Sequence, residues 1–266
     1  MYVPRALPQR RKIAGLDIEY LEKGSGPPLL YLHACEGADP DEALIHNLAK
    51  TFRVLMPAHP GFGLSETAPH FATVDDLSYF YLDLLEAWDL RDVTLVGSSF
   101  GGWLALEIAV KDSSRISRLV LDNPIGLRFK QRTERDFVDL FQISRSAWTT
   151  MFLAGEPADT RDWSAEPEDV ALRAVRNREA FTRMGWSPYL HNPRLRGRLH
   201  RVRPPALVLW GDQDRVASRE YAEAYAAALP DAQLKIVPGA GHFAFHDQPD
   251  AVAEAVTAFA RQTASA

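Results

Sequence analysis

The chain has a single cysteine, Cys35, in 266 residues. One cysteine forms no internal disulfide, and it excludes a CxxC redox pair and a multi-cysteine zinc site. Long apolar runs are missing too: no stretch reaches the ~18 consecutive apolar residues of a membrane span. Residues 1–12 carry basic side chains but no apolar stretch of the kind a secretory leader needs, so a cytoplasmic protein is expected. Positive charge is not in excess. Thirty Lys and Arg stand against 35 Asp and Glu, a formal net charge of −5, which leaves no electrostatic footprint for nucleic acid. HExxH, GxGxxG and P-loop segments do not occur, so neither a metal nor an organic cofactor is expected.

What is present suffices for a folded protein: 46% of residues are hydrophobic, and a chain of this length buries a core without cross-links. Short apolar runs at 29–33 (LLYLH), 53–57 (RVLMP), 93–97 (VTLVG), 118–121 (RLVL), 206–210 (ALVLW) and 233–237 (QLKIV) read as buried strands. Alternation around Gly15 predicts a hairpin before them. Between the runs lie helical stretches. Thr73 is placed to cap one whose apolar face is Leu77, Tyr81, Leu84, Leu85 and Trp88. Others fall at 103–109 and 220–229, and Pro249 opens a last one, where its missing N–H costs nothing. Short strands alternating with helices predict an α/β fold, a mostly parallel sheet covered on both faces. The alternation fails between about 125 and 204, an aromatic-rich stretch read as a helical lid over the sheet. The core is then 1–124 with 205–266, and the lid is 125–204.

The sharpest chemical signal is Gly97-Ser98-Ser99-Phe100-Gly101, a G-x-S-x-G between strand and helix. A serine exposed on so tight a turn needs a strained backbone, and flanking glycines avoid Cβ clashes. A nucleophilic serine needs a base, and the base needs an orienting acid. His242 follows the last apolar strand in a glycine-rich loop. Asp214 follows the strand at 206–210 and completes the chain order Ser, Asp, His; Asp212 and Asp122 are alternative acids at strand ends.

These segments, with Pro60-Gly61-Phe62-Gly63-Leu64-Ser65, Gly211-Asp212-Gln213-Asp214 and Gly241-His242-Phe243, resemble the α/β-hydrolase superfamily in its capped serine-hydrolase branch, which includes bacterial esterases and the carbon–carbon hydrolases of ring-fission products. The resemblance implies an eight-stranded, mostly parallel sheet with a helical cap after the sixth strand. It carries over Ser99 as nucleophile, Asp214 as acid and His242 as base. It makes the backbone N–H groups of Cys35 and Phe100 the oxyanion donors. Serine at 99, rather than aspartate, argues against the haloalkane dehalogenase and soluble epoxide hydrolase branches. One segment departs from the pattern: the family usually has His-Gly after the first core strand, and here it is His33-Ala34-Cys35-Glu36-Gly37. Alanine narrows the backbone angles open to that loop.

The expected reaction is cleavage of an ester, lactone or thioester through an acyl-enzyme. The alternatives are carbon–carbon cleavage of a dienone acid, lyase or acyl-transfer chemistry on the same residues, and a non-catalytic ligand receptor. Glu36, Trp148, Phe152 and Trp186 are candidate substrate contacts. The lid holds 15 Lys and Arg against 10 Asp and Glu, on a chain that is net acidic. That excess is either a solvated surface or an attraction for acidic substrates. The expected partner is thus a small molecule with apolar and conceivably acidic groups; a homodimer is left open.

Overall fold

A computed structural model describes residues 7–39, 42–131, 133–157 and 159–262. Eight strands form one sheet: β1 (Gln9–Ile13), β2 (Leu16–Lys23), β3 (Pro28–Leu32), β4 (Arg53–Pro57), β5 (Val93–Ser98), β6 (Ile116–Asp122), β7 (Ala206–Gly211) and β8 (Ala232–Val237). Their order across the sheet is β1-β2-β4-β3-β5-β6-β7-β8. β1 and β2 pair antiparallel, as do β2 and β4; every later pairing is parallel. The hairpin turn is Ala14-Gly15, both at positive φ (48° and 84°), as a two-residue turn matched to strand twist requires.

The sequence explains this order. β5 and β7 are buried along their whole length, as near-continuous apolar strands covered on both faces must be. The helices that cover them include α1 (Ala43–Leu48), α2 (Val74–Ala87), α3 (Phe100–Lys111), α6 (Arg219–Ala227) and α8 (Pro249–Ala260). α2 starts at a capping box: Asp76 N–H donates to Thr73 Oγ1, and Thr73 N–H donates to Asp76 Oδ2. Its buried face includes Leu77, Tyr81, Leu84 and Leu85, which sit at helical spacing. α1 and the one-turn α7 (Ala244–Asp247) carry no sequence signal of comparable strength; both are too short to show a period.

Between β6 and β7 the chain leaves the sheet. It forms α4 (Arg145–Phe152), α5 (Glu168–Gly185) and a 3-10 helix at Arg196–Arg201. α5 is held to the core by polar contacts on one face, at helical spacing. Arg173 makes a bidentate pair with Glu19 of β2, at 2.8 and 3.0 Å, with both side chains buried. Arg176 donates to the carbonyls of Gly63 and Ser65, and Asn177 accepts from Gly63 N–H. Part of the arginine excess of residues 125–204 is therefore engaged in holding α5 to the core. No described helix is long and apolar enough to cross a membrane.

Candidate active site

Ser99 follows β5 and caps α3 at φ 51°, ψ −109°, a left-handed backbone that a side chain rarely adopts. The crowding around it explains both flanking glycines. A Cβ on Gly97 would stand 2.2 Å from the Gly101 carbonyl oxygen, and one on Gly101 would stand 2.0 Å from that of Leu32. The first turn of α3 thus packs directly on the backbone that leads into the His33–Gly37 loop. Phe100 is the first residue of α3, so its N–H has no carbonyl one turn earlier to bond.

Ser99 Oγ lies 2.8 Å from His242 Nε2, and His242 Nδ1 lies 2.8 Å from Asp214 Oδ2. All three side chains are buried. Asp214 is held by more than the imidazole. Its Oδ2 accepts from Asn123 Nδ2, and its Oδ1 accepts from Val216 and Ala217 N–H. Three donors besides His242 hold the carboxylate in place, and as an acceptor it takes the hydrogen bond of Nδ1–H. Nε2 is then the basic atom facing the serine.

The other two acids do different work. Asp212 Oδ1 accepts from Gly239 N–H on the exposed side of the loop. Asp122 is buried beneath the turn, where Oδ2 accepts from Ser98 Oγ and Oδ1 has no partner. Burial pushes its carboxyl up to about 7. Ser98 Oγ is also 2.9 Å from the Tyr31 hydroxyl.

The loop after β3 has its left-handed residue at Gly37 (φ 101°), not at Ala34, so alanine at 34 costs nothing. Gly37 N–H donates to Ala34 O at 3.1 Å, closing a turn. His33 Nδ1 also donates to Ala34 O, and His33 Nε2 accepts from His59 N–H. Burial lowers His33 to about 4, so the ring is neutral with its proton on Nδ1. With the Ala34 carbonyl bonded twice, the planar trans peptide points the Cys35 N–H the opposite way. The Cys35 thiol is buried, and burial raises it well above its usual range, so it is no competing nucleophile.

Beside the site lies a narrow cavity of about 40 Å³, lined by apolar groups such as Tyr31, Met56 and Phe245 and by Glu36, Asp39 and Glu42. Trp148 and Phe152 also line it, stacked at 4.4 Å, and the Phe152 ring stands edge-on to His242 at 5.3 Å. Phe243 N–H bonds to Phe152 O, which seats α4 on the histidine loop. Asp247 strengthens that seat by accepting from both Gly241 and Ala154 N–H.

Trp186 is a correction to the expected pocket. It is 61% exposed and packs on Phe141 and Tyr189, along a different surface groove. Its place at the end of α5 turns it to solvent. Asn123, Asp247 and Asn177 are partners the sequence reading missed. Asn123 alone had a signal, a polar residue directly after a strand end that carries an aspartate.

Comparison with known proteins agrees with this architecture. The pattern of the alpha/beta hydrolase fold family matches residues 27–249. The chain is 27% identical over 264 residues to haloalkane dehalogenase 2 of Mycobacterium tuberculosis, covering 90% of each. It is 25% identical over 258 residues to the 2-hydroxy-6-oxo-6-(2'-aminophenyl)hexa-2,4-dienoic acid hydrolase of Metapseudomonas resinovorans, covering 92% of this chain and 88% of that one. It superposes on a thermophilic esterase from Thermogutta terrifontis with a TM-score of 0.71 at 25% identity, covering 95% of this chain and 98% of that one. With the family pattern spanning most of its length, the chain belongs to the alpha/beta hydrolase fold family.

Proposed function

We propose that the protein is a serine hydrolase that cleaves a small, largely apolar carboxylic ester through an acyl-enzyme. The observation that carries this is the hydrogen-bonded series Ser99–His242–Asp214, with the serine on a strained turn at a helix N-terminus. Ser99 Oγ attacks the carbonyl carbon as His242 Nε2 takes its proton, and Asp214 stabilises the imidazolium. The C=O electrons move to oxygen, and that oxyanion rests on the N–H groups of Cys35 and Phe100, each worth about 3–4 kcal/mol. Collapse expels the alcohol oxygen, which takes the proton from His242. Water, deprotonated by His242, then attacks the acyl carbon and releases the acid and free Ser99.

The lining of the cavity supports a largely apolar substrate. Charge of both signs stands at its edge: Glu36, Asp39 and Glu42 border it together with His246, and Arg178 of the lid lies over the Trp148 ring. A carbon–carbon hydrolase is the second reading, favoured by the Metapseudomonas resinovorans relative. Serine at 99 also fits poorly with dehalogenation, where the resemblance calls for aspartate.

The test is labelling by a fluorophosphonate probe together with turnover of p-nitrophenyl esters, lactones, thioesters and a coloured dienone acid. Wild type should be labelled and should hydrolyse esters, and Ser99→Ala should do neither while remaining folded. Wild-type turnover by Ser99→Ala would overturn the reading. Rapid bleaching of the dienone acid with slow ester turnover would favour the second.

A further inference from the structure

We propose that Asn177, on lid helix α5, is a positioning residue that sets the oxyanion loop, so that the lid completes the oxyanion site. The inference rests on the serine-hydrolase reading above.

Asn177 is buried in the contact between α5 and the core. Both ends of its amide are used. Oδ1 accepts from Gly63 N–H at 2.7 Å, and Nδ2 donates to Glu36 O at 2.5 Å. The partners force this orientation, because a backbone N–H only donates and a carbonyl only accepts. The bond to Glu36 O fixes the Glu36–Gly37 peptide, and the Gly37 N–H of that same peptide donates to Ala34 O. The Ala34 carbonyl in turn sets the direction of the Cys35 N–H through the planar peptide. One lid side chain thus bears on two peptide planes, Glu36–Gly37 and through it Ala34–Cys35, the second of which carries an oxyanion donor.

Gly37 is the second observation. A Cβ there would stand 2.2 Å from Asn177 Nδ2, so the loop presents bare backbone where the lid residue arrives. The anchors before it on the helix, Arg173 to Glu19 and Arg176 to Gly63 and Ser65, grip the core without touching the oxyanion loop. Asn177 alone of the three links the lid to residues 34–37.

The experiment compares wild type with Asn177→Asp, Asn177→Ala and Arg176→Ala. Asn177→Asp sets a carboxylate oxygen against Glu36 O while keeping the acceptor for Gly63 N–H. Readouts are kcat and KM on p-nitrophenyl butyrate and Ki for a trifluoromethyl ketone, whose hemiketal oxyanion uses the same donors. Both Asn177 variants should lose about tenfold or more in kcat with little change in KM, and Ki should rise in parallel, as expected when one donor is misaimed. Arg176→Ala should lower thermal stability and leave kcat and Ki near wild type. A residue that only anchored the lid would shift KM and stability and leave Ki in place. Folded Asn177 variants with wild-type kcat and Ki, or equal losses in Arg176→Ala, would overturn the proposal. Asn177→Ser, smaller and still polar, is read in the same way if the others do not fold. A wild type that is not labelled at Ser99 would instead remove the serine-hydrolase reading, and this proposal with it.

Discussion

Replacing Arg173 by leucine tests how α5 is held to the core. The substitution removes both hydrogen bonds to Glu19 and leaves a carboxylate buried at 3% side-chain exposure. Breaking a buried pair by removing one partner costs about 3–5 kcal/mol, because the other charge stays uncompensated. Three details place this case near the low end. Glu19 keeps the Leu64 N–H at 2.9 Å, the half-exposed Arg10 guanidinium stands 3.6 Å away, and the Arg173 Nε is itself buried without a partner. A loss of about 3 kcal/mol at pH 8 follows. The loss should also depend on pH. Burial pushes the Glu19 carboxyl up, while the Arg173 hydrogen bonds, Leu64 N–H and nearby arginines bring it below its usual value. In wild type the lowered carboxyl contributes stability above its unfolded value of 4.5, lost as pH falls. Without Arg173, burial dominates and the carboxyl rises, so the variant loses stability as pH climbs through the raised value. Both effects widen the gap with pH. Urea unfolding at pH 5, 6.5 and 8 should show it growing, and adding Glu19→Gln, which keeps an acceptor for Leu64 N–H and drops the charge, should recover most of the loss. A gap that is small and constant across that range, or a double variant as weak as the single, would refute the reasoning.

Two further outcomes follow from the acids near the serine. Asp122 ionises near 3.8 when unfolded and near 7 when folded, so between those values wild type loses about 1.4 kcal/mol of stability per pH unit as pH rises. Asp122→Asn removes that slope, and thermal melts from pH 5 to 7 should show the variant gaining on wild type; equal slopes would place the ionisation elsewhere. Asp214→Asn should lower kcat by about 10⁴ by loss of the correct histidine tautomer. Asp212→Asn, on the exposed side of the same loop, should leave kcat close to wild type, and steady-state ester kinetics would expose the reverse ranking.

Strands, helices and the serine, histidine and aspartate were legible because each leaves a local mark. A parallel strand between two helical layers must be apolar along its length, so residues 93–97 and 206–210 announce themselves. Ser99, Asp214 and His242 sit just past strands, and the crowding at Gly97 and Gly101 makes the glycines beside Ser99 obligatory. The lid contacts leave no such mark. Glu19 and Arg173 are 154 residues apart, and each reads alone as an ordinary surface charge. The arginine excess of the lid was countable, but a count does not say which guanidinium is buried. Trp186 shows the converse error, an aromatic picked for its type that the end of α5 turns to solvent.

The most telling case is the loop at 33–37. Alanine at 34 reads as a defect if the loop needs a left-handed residue there. It needs one at 37 instead, where Gly37 supplies the conformation and leaves room for the Asn177 amide. The shifted glycine and the lid asparagine are therefore complementary. A side chain at 37 would displace Asn177, and without Asn177 the Glu36 carbonyl would lose the donor that orients its peptide. Neither residue signals this alone, because the reason for each is the other, 140 positions away along the chain.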